Sequence, residues 1–367
     1  MTGPMNIPLF KVFMAPEDRL LPALRDVLYS GQISEGVEVE RFEEAFGRFI
    51  GNTKVLSCYC GTAALHVALK LAGAGPDTEV ISTPMTAEPT NLAILHAGAT
   101  VVWADVDPRN ANIAAASIAE QITDRTRAVV VVHYGGVPAS LDAIHRVAAA
   151  RGIPVIEDAA HALGARYAGI TLGAHSEYVM FSFQAIKHLT TVDGGMLACR
   201  NPEDVARGRR LRWFGIDRKA PRTLVDVAEA GYKYHMNNVN AVMGRVQLEH
   251  IRPVIERHIS NGRFFDLALR GIAGLEVAAW DAAAEPSYWF YTVFAERRDD
   301  LARRLVEHGI ASSLVHRRND LHSVFASSRR ELPALDHAYS RMLHIPCGWW
   351  VSDEDREFIA DTLRHGW

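Results

Sequence analysis

Short apolar segments alternate with amphipathic helical segments between residues 53 and 200, and this alternation limits the possible folds more than any other feature. The helical segments have apolar residues at helical spacing, and most of them end near a glycine. The strand candidates are rich in valine and isoleucine: KVLSC, EVIST, TVVWADV, RAVVVVHY, PVIEDAA, EYVMFSF and GMLAC. We therefore predict an α/β domain of about seven strands joined by crossover helices.

The pattern changes after residue 200, where helical segments dominate. Residues 237–258, NNVNAVMGRVQLEHIRPVIERH, predict one helix long enough to run from one domain into another. It is followed by a strand segment, SYWFYTVFAE, a helix, RDDLARRLVEHGI, and a last helix that Ser352 is placed to cap. We predict a boundary near residue 250, with a large domain over residues 1–250 and a smaller α+β domain over residues 251–367.

Charge and hydropathy exclude several classes of protein. The formal net charge is −4 and charged residues of both signs are mixed along the chain, so no basic stripe is present to bind nucleic acid. No apolar run of about eighteen residues and no secretory leader is recognisable, which predicts a cytoplasmic protein with no membrane partner. The four cysteines match neither a disulfide framework nor a zinc site, so we expect reduced thiols and no metal.

Two motifs place candidate binding groups just after predicted strands. In CGTAALHVAL, Gly61 and Thr62 begin a helix, where free N–H groups and the helix dipole favour an anion such as phosphate, although threonine there is also an ordinary cap. In VIEDAAHALGARY, Asp158 ends an apolar strand and is either a ligand-binding group or a cap for the next helix. His161, three residues on, either faces the same crevice or packs as a hydrogen-bonded core residue.

Lys187 follows a further strand in FSFQAIKHLTTVDGGML, shortly before the pair Gly194-Gly195, which allows a close approach of the backbone. A single lysine at a strand end is normally solvated. An anion cradle, a carboxylate and a lysine, each just past a strand, together suit pyridoxal 5'-phosphate (PLP). The cradle would hold its phosphate, the carboxylate would keep its ring nitrogen protonated, and the lysine amine would form a Schiff base with its aldehyde.

These motifs resemble those of the DegT/DnrJ/EryC1/StrS family of PLP-dependent sugar aminotransferases. The resemblance is carried by CGTAALHVAL, EDAAHALGA, FSFQAIKHLTTVDGG and GYKYHMNNVNAVMGRVQL, and it extends from about residue 8 to the C-terminus. It implies the fold type I aminotransferase architecture: a large PLP domain with a mostly parallel sheet, and a smaller C-terminal domain. It also implies a homodimer with active sites at the subunit interface.

The resemblance also assigns roles to residues of this chain. Lys187 becomes the Schiff-base lysine, Asp158 the partner of the ring nitrogen, and His161 the polar side chain at the ring hydroxyl. The phosphate would be held by Gly61, Thr62 and Ser182, and by a residue that crosses the dimer from GYKYHMNN. The alternatives for that last contact are Lys233, His235 and Asn237.

The chain departs from the family pattern at three positions. Ala87 stands where many members carry an aromatic residue that stacks on the cofactor, so that contact is either missing or supplied from elsewhere. Cys60 replaces a common serine. Some members are sugar 3-dehydratases with histidine at the Schiff-base position; here that position is Lys187 and histidine follows at 188, which favours transamination.

The function implied by the resemblance is transfer of an amino group from L-glutamate to a keto group, at C4 or alternatively C3, of a nucleotide-linked deoxysugar. Two rival functions are a PLP-dependent sugar dehydratase and a non-catalytic sugar-binding or regulatory protein on the same fold. Arg317 and Arg318 in VHRRNDLH are candidates for binding a diphosphate or the glutamate carboxylate, or belong to a solvated loop.

Overall fold

The computed structural model describes residues 6–218 and 220–367 and contains twelve α-helices and thirteen strands in that part of the chain. The helices are α1 Glu17–Leu28, α2 Val37–Ile50, α3 Gly61–Leu71, α4 Glu88–His96, α5 Ala115–Gln121, α6 Leu141–Ala149, α7 Pro202–Leu211, α8 Asn238–Glu249, α9 Ile251–Ala268, α10 Arg298–Glu307, α11 Pro333–Arg341 and α12 Asp353–Arg364. The strands are β1 Val55–Cys58, β2 Glu79–Ser82, β3 Thr100–Trp103, β4 Thr126–Val132, β5 Val155–Asp158, β6 Arg166–Tyr167, β7 Ile170–Thr171, β8 Tyr178–Ser182, β9 Gly195–Cys199, β10 Leu275–Val277, β11 Ala284–Glu285, β12 Tyr291–Ala295 and β13 Met342–Ile345.

All seven strand segments named from the sequence lie in one sheet, in the order β1-β9-β8-β5-β4-β2-β3. Only β9 runs antiparallel to its neighbours, and the remaining strand pairs in this sheet are parallel. Strands β5 and β9 are buried along their whole length, and β4 is buried except at Arg127, because helices cover both faces of the sheet. The predicted α/β fold with a mostly parallel seven-stranded sheet is therefore confirmed.

A second, antiparallel sheet with the order β10-β12-β13 forms the centre of the C-terminal part of the chain. Its core includes apolar side chains from α9, α10 and α12. The predicted cap of α12 is confirmed, because Ser352 and Asp355 form a reciprocal capping box. The division into domains at residue 250 stays a prediction.

The prediction of a single long helix over residues 237–258 is wrong. The chain forms two helices, α8 and α9, which are separated at His250 (φ −111°, ψ 4°). Pro253 explains the break, because proline has no N–H to donate and its ring would clash with the carbonyl of Glu249, the last residue of α8. In the part of the chain that the structure describes, no helix is long and apolar enough to cross a membrane.

Candidate active site

A cavity of about 550 Å³ opens at the carboxyl edge of the large sheet, where ligands bind in α/β proteins. Six of the predicted site residues line it: Gly61, Thr62, Asp158, His161, Ser182 and Lys187. The segments that carry them follow β1, β5 and β8, whose carboxyl ends meet at this edge. Its wall also includes residues that are distant in the sequence, among them Phe10 and His316.

The start of α3 forms one end of this cavity. Cys60 caps the helix, since its Sγ accepts a hydrogen bond from the backbone N–H of Ala63 at 3.3 Å. Gly61 lies against the end of β8, and a Cβ atom placed on it would be 3.0 Å from the Cβ of Ser182. The first turn of a helix presents backbone N–H groups and positive dipole charge. Together with the hydroxyl groups of Thr62 and Ser182, this end can bind a phosphate.

Gly195, the second glycine of the pair Gly194-Gly195, packs against the backbone that leads into α3. A Cβ atom placed on Gly195 would lie 2.5 Å from the carbonyl oxygen of Cys60 and 2.7 Å from the nitrogen of Gly61. Strand β9 can therefore lie beside β1 at this position only if residue 195 has no side chain. The close approach predicted from the sequence is made to the backbone of the anion cradle.

We expect Gly195→Ala to lower the free energy of unfolding by about 1–3 kcal/mol, because the methyl group must displace backbone atoms. Chemical denaturation followed by circular dichroism measures this loss. Gly75→Ala is the matched control, since a Cβ atom there would meet its nearest neighbours only at 3.9 and 4.0 Å. An equal effect of the two substitutions would contradict the close approach at Gly195.

Asp158 is 3% exposed and is held by two hydrogen bonds. The hydroxyl group of Thr90 donates to Oδ2 at 2.8 Å, and the backbone N–H of Ala160 donates to Oδ1 at 3.0 Å. Burial raises the pKa of Asp158, and the hydrogen bond from Thr90, that from Ala160 and the charge of Lys187 act against this rise. The carboxylate is therefore fixed in position, and a cation brought close to it would favour its ionised form.

The ε-amino group of Lys187 lies inside the cavity, 3.7 Å from the centroid of the Trp289 ring. Desolvation lowers the pKa of this lysine from 10.5 to about 7, and the attraction of Asp158 acts in the opposite direction. Near neutral pH the amine is thus available as a nucleophile and as a base, which a solvated lysine is not.

Two histidines lie face to face beside the lysine. The rings of His161 and His316 are parallel within 3° at 5.5 Å, and His161 also stacks on Trp289 at 4.0 Å. Burial lowers the pKa of both histidines, that of His316 to about 3, so both are neutral. Within the described part of the chain, Nδ1 of His161 and Nε2 of His316 are buried without a hydrogen-bond partner, and both can bind a polar group of a ligand.

None of the three alternatives for the contact across a dimer lines this cavity. Lys233 is exposed, with its Nζ 5.9 Å from the centroid of the Trp213 ring. The ring of His235 packs edge-on against the same tryptophan at 4.3 Å. The side chain of Asn237 caps α8 by accepting a hydrogen bond from the N–H of Asn240 at 2.9 Å.

The arginine pair near residue 317 also lies outside the cavity lining. Arg318 is buried and forms ion pairs with Asp320 and Asp336, so its guanidinium is already neutralised within the protein. Arg317 is exposed and donates a hydrogen bond of 3.4 Å to the carbonyl of Leu321. The ion pairs of Arg318 therefore favour a structural role for this arginine over the binding of a substrate anion.

Several groups in the cavity were missed by sequence reasoning. Trp289 and Phe10 stack on each other at 4.6 Å and supply aromatic surface in a cavity where Ala87 has none. Trp289 lies in an apolar segment that resembles ordinary core, so its sequence gives no sign of this position. Thr90 is a polar residue on the buried side of α4, and that exception to the helical pattern was the available signal.

The donor set fits PLP. The start of α3 with Ser182 can hold a phosphate, Asp158 can pair with a protonated ring nitrogen, and the amine of Lys187 can bind an aldehyde. His161 Nδ1 supplies a buried polar atom without a partner in the same cavity. The cavity volume lies within the range of small-molecule sites in proteins.

Comparisons with known proteins agree with this geometry. The chain is 40% identical to the crystal structure of AtS13 from Actinomadura melliaura, with a TM-score of 0.96 and coverage of 100% of both chains. It is 40% identical to the sugar aminotransferase CalS13 from Micromonospora echinospora, with a TM-score of 0.94 and coverage of 98% of this chain and 100% of the other. A sequence relative, the spore coat polysaccharide biosynthesis protein SpsC of Bacillus subtilis, is 31% identical over 92% of each chain.

The sequence profile of the DegT/DnrJ/EryC1/StrS aminotransferase family matches residues 16–364. Enzymes of this family depend on PLP, and the structural similarity confirms the predicted fold type I architecture. The match covers the three motifs whose residues line the cavity. The chain therefore belongs to the DegT/DnrJ/EryC1/StrS aminotransferase family and is a PLP-dependent sugar aminotransferase.

Proposed function

We propose that this enzyme transfers the amino group of L-glutamate to a keto group of a nucleotide-linked deoxysugar, with C4 as the first choice of position and C3 as the alternative. The observation that carries the transferase chemistry is the amine of Lys187, which is desolvated inside a cavity that also contains Asp158 and the anion cradle. The sugar acceptor is supported by CalS13, which is named a sugar aminotransferase, and by SpsC, which is named for polysaccharide biosynthesis.

PLP would supply an electron sink for the carbanion formed at the carbon that carries the amino group. Lys187 would hold the cofactor covalently through Nζ, and Asp158 would hold the proton on its ring nitrogen. Gly61, Thr62 and Ser182 would bind its phosphate. These are the same residues that the family resemblance assigns, and their common location in one cavity supports the assignment.

Lys187 also has the properties of the proton carrier. A lysine with a pKa near 7 can accept a proton from a substrate carbon at neutral pH and return it to a neighbouring atom. Asp158 holds a fixed orientation because Thr90 and Ala160 occupy one lone pair of each carboxylate oxygen. Aromatic and aliphatic side chains, including Phe10, Leu65 and Trp289, line the same cavity and reduce the access of water.

The pH dependence of cofactor attachment follows from the lysine. The neutral amine is the reactive form, so the rate at which the apoprotein binds PLP covalently should rise with pH and be half-maximal near pH 7. Stopped-flow absorbance between pH 5 and pH 10 measures this rate, with free lysine in buffer as the control. A rate that still rises steeply above pH 9 would show that the amine is solvated.

We further propose that the enzyme is a homodimer in which the segment at residues 233–237 completes the partner's phosphate site. Lys233 is the strongest of the three candidates, because its ammonium is exposed while Asn237 is already used as a helix cap. In a mixture of Lys187→Ala with Lys233→Ala subunits, every mixed dimer would contain one site with both native residues and one site with neither. Recovery of activity on mixing supports sharing across the dimer, and no recovery counts against it.

The substrate is best identified by a panel of keto-sugar nucleotides incubated with the enzyme, PLP and L-glutamate. The products are characterised by mass spectrometry and NMR, which distinguish amination at C4 from amination at C3. Formation of 2-oxoglutarate with an aminated sugar nucleotide is the expected result. Loss of a sugar hydroxyl without amination would support the dehydratase, and no conversion of any keto sugar would count against the proposal.

A further inference from the structure

Trp289 contacts two consecutive residues of the segment that carries the lysine. Its ring lies under the ε-amino group of Lys187, with 3.7 Å between Nζ and the ring centroid. Its indole N–H donates a hydrogen bond of 2.8 Å to the backbone carbonyl of Ile186. One side chain therefore contacts both the reactive amine and the backbone immediately before it.

Apart from the bond from Trp289, the hydrogen bonds described for residues 184–186 are local to the turn, and the side chain of Ile186 packs on the apolar core. Gln184 closes a local turn, since its carbonyl accepts from the N–H of Lys187 at 2.9 Å and its side chain accepts from the N–H of Ile186 at 3.1 Å. These bonds fix the shape of the turn. The bond from Trp289, which is 103 residues away in the sequence, fixes the position of the turn relative to the C-terminal part of the chain.

Trp289 is itself held firmly. It is 2% exposed, and its backbone N–H donates to the carbonyl of Gly135 at 2.8 Å. Its ring stacks on His161 with 4.0 Å between centroids and on Phe10 with 4.6 Å. A ring packed in this way can define the position of the groups that lie on it.

We propose that Trp289 is a positioning residue for Lys187, whose aromatic face holds the protonated ε-amino group and whose indole N–H fixes the preceding carbonyl. An aromatic face attracts a cation, so removal of the ring favours the neutral amine. Other titratable groups that line the cavity or adjoin the lysine are Cys60, Glu88, Asp158, His161, His188, Asp193 and His316. Asp158 attracts the same ammonium, which is why the proposal is tested by changing the ring alone.

The consequence for the reaction rests on the proposed function. A lysine that leaves the cofactor and later returns to it must wait as a free amine within reach of the same atoms. The ring of Trp289 supplies a fixed place for this amine when it carries a proton.

The test uses the full-length apoprotein without PLP, so it is independent of whether the enzyme transaminates. Acylation of Lys187 by a small amine-directed reagent is followed as a function of pH by mass spectrometry of the peptide that contains it. We expect Trp289→Met and Trp289→Leu to lower the pKa of Lys187 by about one pH unit, and Trp289→Phe to leave it close to the wild-type value.

Three outcomes would overturn the proposal: an unchanged pKa in both variants without a ring, a raised pKa caused by entry of water, or an equal shift in Trp289→Phe and Trp289→Met. Trp289→Met and Trp289→Leu are both tested because one of these variants can fail to fold, which circular dichroism detects. Trp349→Leu is the matched control, since that ring lies 5.3 Å from the Nζ of Lys11, and the pKa of Lys187 should not change.

Discussion

Lys187→Ala should abolish transamination, with a loss of at least about 10³-fold in turnover, because it removes the residue that we propose both attaches the cofactor and carries the proton. The measurement is formation of 2-oxoglutarate from L-glutamate in the presence of PLP and the keto sugar. After borohydride treatment, mass spectrometry should find the cofactor on the wild-type peptide with Lys187 and no cofactor on the variant.

The control for this substitution is Lys70→Ala. Lys70 is in the last turn of α3 and donates to the carbonyl of Ala74 at 3.3 Å, and it does not line the cavity. We expect Lys70→Ala to retain both the activity and the reducible adduct. If Lys187→Ala kept the adduct, the covalent attachment would be at another residue and the assignment of Lys187 would be wrong.

Asp158→Asn should reduce turnover by about 10²-fold or more, because it replaces by a neutral amide the buried carboxylate that we propose to pair with the protonated ring nitrogen, and breaking a buried pair costs about 3 kcal/mol. The amide has nearly the same shape: its oxygen can accept from the N–H of Ala160 while its NH2 group donates to the hydroxyl of Thr90, so the fold should be retained. Steady-state kinetics with L-glutamate, and the affinity for PLP from a fluorescence titration, measure the two effects.

Thr90→Val provides a graded comparison for the same carboxylate. It removes one hydrogen bond of 2.8 Å and keeps the charge, so its effect should be about tenfold, in line with the loss of one hydrogen bond to a charged group. We expect Asp158→Asn to be clearly the more severe of the two. The reverse order would indicate that the geometry of the carboxylate matters more than its charge.

The sequence predicted the large sheet and the edge at which the site lies, because strands covered on both faces have a simple apolar pattern. Lys187, Asp158 and Gly61 were found because each comes just after such a strand, and parallel strands end at one edge. Their approach within one cavity could not be calculated from the pattern, since it depends on how three separate loops turn.

Other features depended on contacts that no local pattern contains. The break at His250 follows from Pro253, whose effect on the preceding turn outweighed the helical periodicity on which the prediction relied. The pairing of Arg318 with Asp320 and Asp336 joins a loop to the start of α11. Trp289 is 103 residues away in the sequence from Ile186, the neighbour of the lysine to which it donates a hydrogen bond.

The wall of the cavity has a consequence for the cofactor. Phe10 and His316, which are 306 residues apart in the sequence, line the same cavity as the groups that follow β1, β5 and β8. A complete binding site therefore exists only when distant parts of the chain are folded together. PLP that binds this state and not the unfolded chain stabilises the whole protein by mass action, so the supply of cofactor in a cell would also set how much of the folded enzyme accumulates.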